Sequence, residues 1–157
     1  MHFKKATIED VAIIHKLMMD AFAEYANVKV PSTALLEKED DIRKSFLHHK
    51  EEAIIAYDAD KPVGMLRFKI NNQALSFHRV SIDPKVQGRG IGKQLLNYLE
   101  YHSYQNGITE LVCKVRMNVT KNMKFYSDLG YVISDKKILT KPNNQLLELA
   151  TMTKLLH

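Results

Sequence analysis

The period of the hydrophobic pattern changes near residue 53, and that change constrains the fold more than any other feature of the 157-residue chain. Before it, Val11, Ile14, Met18, Phe22 and Tyr25 recur at spacings of three and four, which marks one buried stripe of a helix ending near Ala26. Thr7, with Asp10 three residues on, approximates a capping box at its start. A second helix is expected over roughly residues 35–49, with Ile42, Phe46 and Leu47 inward. Glu37, Glu39, Asp40 and Asp41 would place negative charge at its positive end. After the change, residues 53–57, 63–70 and 75–82 are apolar, β-branched or aromatic runs separated only by short polar turns. Strands so closely spaced are joined as antiparallel hairpins, because a parallel pair needs a crossover of a dozen or more residues.

Around this centre the remaining elements fall into place. Residues 2–6 read as a first strand. Asp83-Pro84 stops the third hairpin run, and Ile91, Leu95, Leu99 and His102 mark a helix that Asn106-Gly107 terminates. Residues 108–115 are a strand, 121–129 a helix closed by Gly130, and 131–138 with 146–154 a final strand pair. The expected fold class is α+β, a mixed and mostly antiparallel sheet of six to seven strands flanked by about four helices. No repeat, linker or low-complexity tract interrupts this order, so residues 1–157 are expected to form a single domain.

Composition excludes several classes. With 45% hydrophobic and 26% charged residues the chain is neither disordered nor collagen-like. No apolar run approaches the roughly 20 residues that cross a bilayer, and no signal core follows Met1, so a cytoplasmic protein without a membrane partner is expected. Cys113 is the one cysteine and reads as core packing. The net charge of +5 is compatible with a polyanionic partner. No helix carries a dense Lys/Arg face and no aromatic-basic ladder is present, so nucleic acid is not expected. Lys85, Arg89 and Lys93 instead gather around three glycines, which fits a local phosphate ligand.

Those glycines, Gly88, Gly90 and Gly92, remove the Cβ atoms that would keep a ligand from the backbone, and they open a helix whose first N–H groups are unpaired. A dinucleotide fingerprint would need glycine at Lys93 and a parallel strand before it; a phosphate loop of the nucleotidase kind would need glycine at Gln87 and Ser or Thr at Gln94. Both are absent. The stretch from Val80 to Leu96, with its core Gln87-Gly88-Arg89-Gly90-Ile91-Gly92, resembles the signature region of the GNAT superfamily of N-acetyltransferases. A second segment, Phe125-Tyr126-Ser127-Asp128-Leu129-Gly130-Tyr131, is similar to that superfamily's Phe-Tyr-x-x-Leu-Gly-Phe/Tyr motif.

The resemblance implies a GNAT-like fold and a function: moving an acetyl group from acetyl-CoA, as cosubstrate, to a primary amine of a small molecule or peptide by direct attack in a ternary complex. It implies that the CoA diphosphate lies on the amides of Gln87, Gly88, Arg89, Gly90, Ile91, Gly92 and Lys93, and that the pantetheine arm pairs like a strand with Val80, Ser81 and Ile82. Asn122 and Phe125 are expected beside the cofactor, Asn122 in place of an Asn that many members carry where this chain has Val119. Tyr126 is the expected acid for the departing thiolate. Some relatives place a catalytic Glu on the strand before the glycine turn, but residues 74–82 contain neither Glu nor Asp. His78 is therefore the candidate base, titrating in the useful range, with Glu24 and Tyr25 as weaker candidates acting through water. No metal is expected. GNAT relatives are often dimers, which leaves a homodimer open. The alternative reading is a non-catalytic acetyl-CoA sensor or partner-binding module, to which the missing carboxylate lends weight.

Overall fold

A computed structural model describes residues Met1–His157. Its strands are β1 (His2–Lys5), β2 (Glu52–Asp58), β3 (Lys61–Asn71), β4 (Ala74–Ile82), β5 (Glu110–Arg116), β6 (Val132–Thr140) and β7 (Leu146–Leu155). Its helices are α1 (Val11–Phe22), α2 (Glu39–His48), α3 (Ile91–Gln105) and α4 (Thr120–Asp128). One seven-stranded sheet runs β1-β2-β3-β4-β5-β7-β6. Every neighbouring pair is antiparallel except β4 and β5, whose connection is α3. The expected α+β class and mixed, mostly antiparallel sheet are therefore what forms.

Helices cover both faces, and the sequence of β2 shows why it is apolar throughout. Ile55 and Ala53 join Met65 in a cluster with Val11, Ile14, Leu17 and Met18 of α1 and Ile42 of α2. Ile54 and Ala56, pointing the other way, join Leu66, Phe68, Leu75, Phe77, Leu111 and Cys113 beneath Ile91, Leu95, Leu96 and Leu99 of α3 and Tyr126 of α4. Each fully buried Leu of α3 contributes about 1.5–3 kcal/mol relative to exposure, so α3 is pinned by its own apolar stripe.

Three local expectations fail. The second helix does not begin at residue 35: a 3-10 turn, Thr33–Leu36, ends in extended backbone at Glu37, and α2 starts only at Glu39. Leu47 is 63% exposed rather than inward, because this later start and the short helix leave Ile42 as its buried anchor. On α3, His102 is exposed and Ser103 takes the buried position instead.

Candidate active site

The parallel pair β4–β5 is joined only from Ala74↔Glu110 to Ser76↔Val112. Beyond it β4 continues to Ile82 and β5 to Arg116 without pairing, so the two strands separate and leave the β5-facing edge of residues 77–82 free. A bulge in β4 accompanies the split. Met65 pairs with Ser81 and Arg67 with His78, so β4 carries one residue more than β3 over this interval, and Arg79 takes a left-handed conformation with φ 57°.

The glycine turn lies at the end of that free edge. Asp83 N-caps a 3-10 turn over Pro84–Val86, its Oδ1 accepting from Lys85 N–H at 3.0 Å, and Gly90 with φ 77° caps α3. Gly88 has φ 84°, a conformation that costs any residue with a Cβ about 1–2 kcal/mol. Gln94 N–H is the first in α3 to donate, to the Gly90 carbonyl. The N–H groups from Gln87 to Lys93 have no acceptor within the chain. Residues 87–90 are exposed, and a Cβ built on Gly88 or Gly90 meets nothing within 4 Å. The turn is open, and its donors have no acceptor in the protein. Gly92 faces Phe125, whose ring is 3.5 Å from where its Cβ would be, so α4 closes one wall of this opening.

The other sequence-predicted residues divide between the two sheet faces. Phe77 and Tyr126 pack with ring centroids 6.0 Å apart, and Tyr126 also meets Phe125 and Tyr131, all on the α3/α4 side. Burial pushes the Tyr126 phenol well above its ordinary pKa, which keeps it protonated. Val80 and Ile82 pack partly into the same cluster, and Asn122 is half-buried on α4. Ser81 is buried, its hydroxyl donating to the Arg79 carbonyl at 2.9 Å, so its side chain is committed internally and only its main chain can serve a ligand. His78 projects to the opposite face, toward α1 and α2. Tyr126 and His78 thus do not touch; they flank the split between β4 and β5 from its two sides.

His78 has a partner that sequence reasoning missed. Glu51, only 1% exposed at its side chain, places Oε1 2.5 Å from His78 Nε2. Its Oε2 accepts from Arg67 Nε at 2.9 Å. Arg67, equally buried, reaches with Nη1 and Nη2 to the two oxygens of Glu37 at 3.0 Å each. Glu37 also accepts from Arg79 Nε at 2.8 Å, and Arg79 Nη2 donates to Thr33 Oγ1 at 3.2 Å. Burial pushes the Glu51 carboxyl upward, but hydrogen bonds from His78 and Arg67 and their charge outweigh it and hold the group below its ordinary range. An ionised carboxylate only accepts, so His78 Nε2 donates, and in the neutral ring Nδ1 is left as the acceptor. Glu37 is held low in the same way by Arg67 and Arg79 against burial. It is not part of an acidic helix start, as the sequence suggested. An Arg inside a strand otherwise buried on both faces was the one available signal: such a charge requires carboxylate partners.

The remaining base candidates, Glu24 and Tyr25, end the 3-10 turn that follows α1. Glu24 sits on the surface 3.5 Å from Lys121, and Tyr25 lines a cavity beside α4.

In class this is an acetyltransferase-type α+β fold, its central strand pair parted around a groove that ends on unpaired helix donors. The chain belongs to the acetyltransferase (GNAT) family, whose model matches residues 13–131. It is 27% identical over 94 residues to the uncharacterized N-acetyltransferase YjcF of Bacillus subtilis strain 168, which is 59% of this chain and 65% of that protein, just under two thirds of the relative's length. Among solved structures the fold matches yncA of Salmonella typhimurium, solved with its cofactor acetyl-CoA, with a TM-score of 0.77 and 17% identity over 100% of this chain and 94% of that one. It also matches the ribosomal-protein-alanine N-acetyltransferase of Brucella melitensis, with a TM-score of 0.80 and 14% identity over 99% and 100% of the two chains. No helix is long and apolar enough to cross a membrane.

Proposed function

We propose that this chain, as one catalytic domain, transfers an acetyl group from acetyl-CoA to a primary amine by direct attack in a ternary complex. The observation that carries this reading is the run of unpaired N–H groups from Gln87 to Lys93, at the end of the free edge of β4. A diphosphate on the first and a pantetheine arm along the second would satisfy donors that no group of the protein satisfies. Exposed Arg89 and Lys93 add charge to the phosphate end, and Asn122 and Phe125 wall the tail.

The chemistry needs no enzyme nucleophile, because a neutral, aligned amine attacks the thioester carbonyl itself. As the C–N bond forms, a main-chain N–H in the His78–Val80 stretch binds the developing oxyanion. His78 Nδ1, directly or through one water, accepts the proton that the amine loses, while Glu51 holds the ring and steadies the imidazolium. The C–S bond then breaks, and Tyr126, kept protonated by burial, supplies a proton to the CoA thiolate.

A sensor that binds acetyl-CoA without chemistry drew its support from the missing carboxylate on β4. Glu51 brings a carboxylate to His78 from the residue just before β2 and favours the catalytic reading. The deciding experiment is release of free CoA thiol from acetyl-CoA with a panel of primary amines. Amine-dependent release above hydrolysis is expected; saturable acetyl-CoA binding with no release for any amine would leave the sensor reading.

A further inference from the structure

Beside the split of the sheet lies a cavity of about 380 Å³, within the size range of small-molecule sites, formed where the segment after α1 meets the end of β5 and the start of α4. Tyr25 and Val28 form one wall, and Arg116, Asn118, Thr120 and Lys121 the other. Its position follows from the strand register. Val112 pairs with Ser76 at the last joined rung, so Arg116, four residues further along β5, lies in the part of that strand that has separated from β4. Val115 belongs to the cluster under α3, so Arg116 projects to the other face, the one that carries His78.

The charge of this cavity is one-sided. Arg116 and Lys121 are its charged lining residues, and no carboxylate lines it. Arg116 has no acidic partner: Nη1 donates to the Val30 carbonyl and Nη2 to the Pro31 carbonyl at 3.0 Å, both neutral acceptors. Burial lowers its pKa, Tyr25 opposes this, and the neighbouring charge of Arg79 lowers it further. The carboxylates nearby are spoken for. Glu37 is held by Arg67 and Arg79, Glu51 by Arg67 and His78, and Glu24 faces Lys121 at 3.5 Å from outside the lining. A guanidinium left uncompensated at a cavity wall favours an anion there and disfavours a second cation.

We propose that this cavity is the acceptor subsite and that the acceptor is a small amine carrying a carboxylate, an amino-acid-like molecule, with the carboxylate on Arg116 and Lys121 and the amine turned toward His78. The proposal rests on the acetyl-transfer reading and names its substrate class. A polyamine, whose remaining charges would face Arg116 and Lys121, is excluded by the same field.

The test compares CoA release with a pool of free amino acids, a pool of the corresponding amino-acid amides, and spermidine. Free amino acids are expected to be preferred at least tenfold in kcat/KM, and Arg116→Gln to abolish that preference. Lys121→Glu, on the exposed rim, is expected to raise KM for the acids without unfolding the chain, which keeps the test valid if Arg116→Gln perturbs the loop it anchors. Equal or better use of amides or spermidine overturns the proposal, as does a preference that survives both variants. If no amine releases CoA, calorimetry with amino acids on CoA-saturated protein still decides. Binding of acids but not amides upholds the subsite while the catalytic reading falls, and binding of neither overturns the subsite as well.

Discussion

Glu51 Oε1 lies 2.5 Å from His78 Nε2, although the two residues are 27 apart in sequence, one just before β2 and the other in the middle of β4. The pairing makes Nε2 the donor and leaves Nδ1 as the acceptor of the neutral ring. Around it stand Arg67 from β3, Glu37 from the turn before α2 and Arg79 from β4, so the dyad sits at the end of a chain of buried charges that tie the first helical layer to the bulge.

Glu51→Gln keeps the shape of the side chain and an acceptor for Arg67 but removes the charge behind His78. Turnover is expected to fall tenfold or more, equivalent to at least ~1.4 kcal/mol of transition-state stabilisation, while the KM for acetyl-CoA stays unchanged. Nitrogen NMR of the His78 ring is expected to show a changed tautomer balance; an unchanged ring and unchanged turnover would exclude Glu51 from this positioning role.

The same network makes stability fall in acid. Glu51 and Glu37 are both held below the ordinary carboxyl value of 4.5, so the folded chain binds fewer protons there than the unfolded one. Their contribution is complete above that value and is lost as pH falls through the lower folded values. Denaturant midpoints measured from pH 6 downward are expected to decline below about pH 4.5. The Glu37→Gln variant should be weaker at neutral pH and show a shallower acid decline.

Gly90→Glu tests the phosphate cradle. Nothing in the protein opposes a Cβ there, but φ 77° adds about 1–2 kcal/mol of strain, and the new carboxylate repels a diphosphate. Calorimetry is expected to show no CoA binding, with the circular dichroism spectrum retained; unchanged affinity would remove the glycine turn from cofactor binding.

Tyr126→Phe separates chemistry from binding. The ring packs against Phe77, Phe125 and Tyr131, and those contacts survive loss of the hydroxyl. Turnover is expected to fall on the order of 10²-fold, the scale of a lost general acid, with acetyl-CoA affinity within about twofold of the wild type. Equal turnover would exclude the phenol as the acid.

Cys113 is buried and its thiol is pushed up to about 12 by burial, so little thiolate exists at neutral pH. A colorimetric disulfide reagent is expected to label it only on the timescale of unfolding, and fully in denaturant. Rapid labelling of the native chain would show that the α3/α4 layer opens readily.

How much of this was legible in the sequence depends on range. The apolar run of β2, the hairpin turns, the stripe of α1, the glycines 88, 90 and 92 opening a helix and the Phe125-Tyr126 pair are properties of short segments, since the period of the pattern and a helix N-terminus are set by neighbours in the chain. They sufficed for the α+β class and the family resemblance. Where a local rule met a distant partner, the rule lost. Glu37 looked like helix-start charge because three acids follow it, yet Arg67 and Arg79 claim it from β3 and β4. Glu51, the shape of the Arg116 cavity and the opposed placement of His78 and Tyr126 were decided by sheet register, one bulge and the parting of β4 from β5. Such features bring together residues from separate elements, and no single segment encodes their meeting.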